Sequence, residues 1–145
     1  QNTAIVRYLD ATGKRYSQLN GVYKQVSVEA PQGAQVLQEG DSLYILFAQY
    51  AFTSRPENLY YTNIDTLVTQ AGFDPSVIST APYGIRYGET PLISGLNSGL
   101  EGCRTGEQFM LYMAHDLAYG KTGAGVIPPY TAIAVSVNVL EIKTN

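Results

Sequence analysis

The sequence contains no tryptophan, one cysteine and one histidine. The lone Cys103 excludes an intrachain disulfide and a cysteine-based metal site. The lone His115 excludes a histidine-rich metal cluster. Charge is scarce: charged residues make up 14% of the chain and the net charge is −3. The nine Lys and Arg stand singly, so no basic stripe offers a surface to nucleic acid. No apolar run approaches the roughly 20 residues of a membrane-spanning helix. There is no internal repeat, no low-complexity tract and no metal or triad constellation.

What the chain does have is a core and an unusual aromatic choice. It has 145 residues, 45% of them hydrophobic, which suits one domain with one core. Twelve tyrosines suit half-buried sheet surfaces and pockets with polar tips.

Local patterns give the elements. Ala4 to Leu9 reads as a short helix with Ile5, Val6 and Leu9 on one face, stopped by Gly13. Gly21 to Glu29 reads as a strand and Pro31-Gln32-Gly33 as a turn. Ser42 to Ala51 reads as a central strand buried on both faces. Ser54 to Asn58, around Pro56, reads as a loop, and Leu59 to Asn63 as a strand. Thr66 to Ala71 reads as one or two helical turns ended by Gly72.

Leu92 to Leu100 reads as the main helix, with Leu92, Ile93, Leu96 and Leu100 on one face. Its two glycines mean that packing, not propensity, must hold it. Gln108 to Met113 and Thr131 to Ile142 read as strands. Many strands around one short helix predict antiparallel β or α+β.

Residues 95 to 142 carry a more specific pattern. They run Gly95-Leu96-Asn97-Ser98-Gly99-Leu100, Gly106-Glu107, Leu117-Ala118-Tyr119-Gly120, Gly123, Ile127-Pro128-Pro129 and a closing strand. This resembles the signature of the FKBP-type peptidyl-prolyl cis-trans isomerases, roughly V-I-x-G-W-x-x-G-L, G-E, L-A-Y-G-x-x-G and I-P-P. Upstream, Pro82-Tyr83 resembles the family's P-F. Ser42 to Tyr50 resembles its V-x-V-H-Y-T-G strand, and Tyr60-Tyr61-Thr62-Asn63 its F-D-T-N.

The resemblance implies an α+β fold, a bent antiparallel β-sheet wrapped around one short helix. It covers about 100 residues, the FKBP-like domain being 40–145. Residues 1–39 form an N-terminal extension of short helix plus strand, and 64–81 an insertion.

The resemblance also implies the chemistry. Rotating an X-Pro bond means breaking amide resonance, a barrier of roughly 18–20 kcal/mol. No bond to carbon breaks, so the step needs no nucleophile, metal or cofactor. An apolar pocket for the prolyl ring suffices, because it disfavours the charge-separated planar amide.

Matched residue by residue, Tyr119 falls on the tyrosine that offers its hydroxyl to the peptide. Ile93 supplies the backbone N–H that anchors it. Phe47, Tyr60, Tyr61, Tyr83, Leu92, Leu96, Ile127 and Val135 fall on the substrate-binding pocket. Four departures stand out. Leu96 replaces the tryptophan floor, Tyr61 the aspartate of F-D, Tyr60 its phenylalanine and Val135 a lining phenylalanine. They predict a wider, less aromatic floor and leave two outcomes open: an isomerase with activity lowered by these replacements, or a catalytically weak or inactive peptide- or protein-binding module.

The resemblance implies proline-containing peptides or unfolded proteins as partners, with no cofactor. Taken outside its motif, Tyr119 reads as a core-edge tyrosine with a satisfied hydroxyl. His115 reads as a loop residue and Cys103 as a half-buried apolar one. Low charge, a single cysteine and an opening Gln1 give the expectation of an exported bacterial protein, periplasmic or lipoprotein-anchored.

Overall fold

The computed structural model describes residues 1–144. Seven strands form one antiparallel sheet: β1 (Ser17–Leu19), β2 (Val22–Val28), β3 (Ser42–Phe52), β4 (Pro56–Thr62), β5 (Tyr83–Arg86), β6 (Gln108–Met113) and β7 (Ala132–Lys143). The order across the sheet is β1-β2-β6-β7-β3-β4. β3 meets β7 along one whole edge. Its other edge is divided, with β5 against Ser42 to Ile45 and β4 against Ala48 to Phe52. Among the described residues, three α-helices complete the fold: α1 (Asn2–Thr12), α2 (Asp65–Ala71) and α3 (Ser94–Leu100). The predicted α+β class, an antiparallel sheet with one short helix packed on it, is the fold observed.

Strand alternation sorts the apolar residues onto two faces. One face carries Ile45, Phe109, Leu111, Met113, Ile133, Val135, Val137 and Val139, and α3 packs there through Leu100. The other carries Tyr112, Ala132, Ala134 and Phe52, and α1 covers it with the fully buried Ile5 and Leu9. Residues 1–39 thus supply a helix on the second face, and β2 extends the sheet beside β6.

The glycines of α3 are explained by its distance from the sheet. A Cβ at Gly95 would overlap Met113, and one at Gly99 would overlap the Leu111 side chain. The helix approaches β6 closely because both positions lack a side chain, so packing offsets their low propensity.

Three expectations change. The helix begins at Ser94, not Leu92: Leu92 and Ile93 stay extended, and the Ile93 carbonyl accepts the N–H groups of Leu96 and Asn97. Pro56 opens β4 instead of lying in a loop. A proline is tolerated there because β4 is an edge strand, and Asn58 takes a positive φ of 54° at its irregular register. β3 is fully buried on both faces only towards its end. Its first half alternates, with Leu43 and Ile45 inside.

Among the described residues, no helix is long and apolar enough to cross a membrane. Cys103 is fully buried just after α3. Burial pushes its thiol up from an ordinary value of 9.0 to about 12. The buried thiol therefore stays protonated where the unfolded one ionises. That contribution to stability is full below about pH 8.5 and falls between pH 9 and 12, by about 1.4 kcal/mol per pH unit. Urea unfolding at pH 8 and pH 10.5 is expected to differ by about 2 kcal/mol from this group alone. Cys103→Ala is expected to remove that part of the slope, and an unchanged slope would contradict it.

Candidate functional site

Between β3, α3 and the loop after β6 lies a cavity of about 340 Å³. It is built from several parts of the chain. β3 contributes Ile45, Phe47 and Gln49, three alternate residues that face the same side. Pro91, Leu92 and Ile93 enter from the extended lead-in to α3, and Leu96 from its first turn. Val135 of β7, buried to 2% exposure, is the floor. Tyr61 and Tyr83, both exposed, form the rim, and Tyr83 meets Phe47 edge-on with ring centroids 5.9 Å apart.

Tyr119 follows the 3-10 turn His115–Leu117 and lines the cavity half-buried. Its hydroxyl oxygen accepts a 2.8 Å hydrogen bond from Gln49 Nε2. With that lone pair engaged, the hydroxyl proton remains available for donation to a bound group. Burial raises the Tyr119 pKa, the Gln49 bond opposes the rise, and the neighbouring Tyr61 and Tyr83 add to it. The group therefore stays a neutral donor across physiological pH.

Local backbone holds this loop in shape. Ala124 and Ile127 exchange backbone hydrogen bonds of 3.0 and 2.8 Å, closing a tight turn. Gly123 has φ 69°, and a Cβ there would overlap the Ile127 carbonyl oxygen. Glycine is required at this point of the turn. Gly125 lies so close to the Tyr61 hydroxyl that a Cβ would come within 2.6 Å of it, so the loop borders the rim.

The family model described as FKBP-type peptidyl-prolyl cis-trans isomerase matches residues 59–140, more than half of the chain. The chain belongs to the FKBP family. Among its relatives, a chloroplastic peptidyl-prolyl cis-trans isomerase of Arabidopsis thaliana is 38% identical over 65 residues, 43% of this chain and 28% of that protein. FK506-binding protein 2 of Candida glabrata is 35% identical over 74 residues, 50% of this chain and 54% of that one. The chain thus spans about half or less of the length of these curated relatives.

Solved structures share the fold. FkpA from Escherichia coli superposes with a TM-score of 0.66 at 20% identity, over 97% of this chain and 58% of that one. A peptidyl-prolyl cis-trans isomerase from Pseudomonas syringae gives 0.68 at 18% identity, over 98% and 92%.

Of the residues that the FKBP resemblance singled out, the structure brings eight together around the cavity: Phe47, Tyr61, Tyr83, Leu92, Ile93, Leu96, Tyr119 and Val135. Two do not line it. Ile127 is drawn into the core at 2% exposure by the turn it closes with Ala124. Tyr60 packs on the same core from β4, while its neighbour Tyr61 takes the rim.

Ile45, Gln49 and Pro91 line the cavity and were not anticipated. The period of two from Phe47 along β3 would have found the first two. Counting on from Phe47 at the tyrosine of the FKBP motif H-Y-T-G, Gln49 falls on the glycine. An amide therefore enters the pocket at one position, while Tyr61 replaces a carboxylate at another. Among the described residues, no cluster of three His, Cys, Asp or Glu could hold a metal ion.

Proposed function

We propose that this chain is a peptidyl-prolyl cis-trans isomerase that takes the prolyl ring into the cavity bounded by Phe47, Leu96, Tyr119 and Val135. The observation that carries this reading is an open apolar hollow with a half-buried, neutral hydroxyl donor, Tyr119, held by Gln49. A planar amide is charge-separated and loses solvation in such a hollow, whereas the twisted amide loses less. Tyr119 donates to the peptide and the Ile93 backbone N–H anchors it. Substrates are proline-containing peptides or unfolded proteins.

The test is acceleration of cis-to-trans conversion in a short X-Pro peptide, run beside a binding titration with the same peptide. A rate equal to that of buffer alone sinks the catalytic reading. Tyr119→Phe is expected to lower kcat/KM up to about tenfold, the worth of one net neutral hydrogen bond. An unchanged value would remove the hydroxyl from the mechanism.

A second reading, a binding module with little catalysis, is favoured by Leu96 and Val135 on the floor and Tyr61 in place of a carboxylate. It is distinguished by saturable peptide binding without acceleration. Export to a bacterial periplasm, free or lipid-anchored, is proposed on composition alone, and fractionation of the source cells tests it.

A further inference from the structure

Among the described residues that line the cavity, Gln49 alone has a side-chain carbonyl. The side chain is nearly enclosed, with Gln49 only 7% exposed. Its Nε2 donates to the Tyr119 hydroxyl at 2.8 Å. Among the described residues, no protein group donates to its Oε1. No unpaired side-chain oxygen or nitrogen among them is sealed off either, so Oε1 keeps open surface where Gln49 lines the cavity.

Holding Tyr119 accounts for only half of this amide. That task uses Nε2 and leaves Oε1 idle. A carbonyl oxygen kept in an apolar hollow without a donor costs free energy, which is recovered when a ligand brings an N–H. The sheet register points to the same role. Gln49 pairs directly with Tyr61 of β4 and with Val135 of β7. Directly paired residues put their side chains on one face, with Cβ atoms about 4.5–5.5 Å apart. Tyr61 stands at the aspartate of the FKBP motif F-D. The acceptor missing at that position is therefore present on the neighbouring strand, beside the Val135 floor.

We propose that Gln49 Oε1 accepts the backbone N–H of a residue adjoining the proline of the bound peptide. This rests on the proline-binding reading of the cavity. Oε1 and Nε2 share one carbon, so the acceptor lies beside the Tyr119 hydroxyl that Nε2 holds. The pair offers the ligand one donor, the Tyr119 O–H, and one acceptor, Gln49 Oε1. An extended residue presents its own N–H and C=O to the same side, as the exchanged bonds of an antiparallel pair require. One such residue satisfies both groups. Proline has no N–H, so a neighbour of the proline fills the role. Gln49 thereby makes the site selective for a secondary amide next to the proline.

The test uses a short X-Pro peptide and two analogues. In these, the N–H of the residue before or after the proline is replaced by an ester oxygen, which removes the donor with little change of size. kcat/KM and Kd are measured for all three. The parent protein is expected to favour the all-amide peptide over one analogue by about tenfold, since that analogue leaves Oε1 unpaired. Gln49→Met, of similar length but without a strong acceptor, is expected to bring this ratio near unity. It also releases Tyr119 and lowers kcat/KM for all three peptides, which the ratio cancels. Equal values for the three peptides in the parent protein overturn the acceptor role alone, and this arm needs no variant to fold. A ratio that survives in folded Gln49→Met overturns it too. A parent protein that neither binds nor accelerates any of the three loses the proline reading, and the acceptor role with it.

Discussion

An Ile93→Asp variant is expected to fold as stably as the parent and to lose about a hundredfold or more in kcat/KM. The two halves of this expectation come from two roles of one residue. Ile93 is the N-cap of α3 and offers no side-chain cap to the first turn. Asp is among the best N-cap residues, worth about 1 kcal/mol over an apolar one. Its charge also suits a helix N-terminus.

The same side chain lines the cavity. Removing it forfeits apolar contact with a seated ring, about 1.5–3 kcal/mol for a fully covered Ile. Seating the ring against a carboxylate adds a desolvation cost of the same order. Urea unfolding and the isomerisation assay, run on the same preparation, check both halves. Unchanged activity would mean that the ring does not sit beside Ile93. Lost stability would mean that Ile93 holds the fold more than it lines the site.

The pocket was legible because its residues fall on short motifs. Tyr119 between Ala118 and Gly120, Ile93 two residues before Gly95, and Tyr83 after Pro82 are each fixed by neighbours in sequence. Gln49 was legible as a lining residue only through the period of two from Phe47, and its bond to Tyr119 was not legible at all. Nothing local marks a glutamine in an apolar strand as facing Tyr119, 70 residues away; only the fold closes that 2.8 Å bond. Ile127 lay in a motif and was still misplaced. Whether it faces the cavity or the core depends on the turn that pairs it with Ala124.

The sheet was legible where strands alternate cleanly, as in β7, and illegible where a strand is short or starts at a proline. β1 has three residues, all exposed, so it carries no apolar period. Its one signal was Asn20-Gly21, both with positive φ, at 52° and 85°. That is the two-residue hairpin turn between Leu19 and Val22. α1 was legible as a helix with Ile5 and Leu9 on one face. What they pack against was not, because their partners Tyr112, Phe52 and Ala134 lie between 43 and 129 positions downstream, a separation no local period encodes.

That packing sets the last expectation. Ile5→Ala with Leu9→Ala is expected to lower stability by about 4 kcal/mol or more, since each truncation of a fully buried aliphatic side chain costs about 2–5 kcal/mol. The pair is adjacent on α1, so the sum departs from strict additivity. Against a typical total of about 5–15 kcal/mol, the variant is left marginal.

Its pocket is expected to survive. Ile5 and Leu9 pack on the Tyr112 and Ala134 face, whereas Val135 and Leu96 belong to the opposite one. A bridge between them lies at the start of α1. Gln1 Oε1 accepts the His115 N–H at 2.8 Å and Gln1 Nε2 donates to the Tyr130 carbonyl at 2.7 Å, at the two ends of the loop that carries Tyr119. Urea unfolding gives the stability loss. kcat/KM per folded molecule, measured at low temperature where most of the protein stays folded, is expected to remain within about twofold, since sites without shared partners behave independently. A much larger fall would show that α1 holds the Tyr119 loop through Gln1. The two faces of the sheet would then form one mechanical unit.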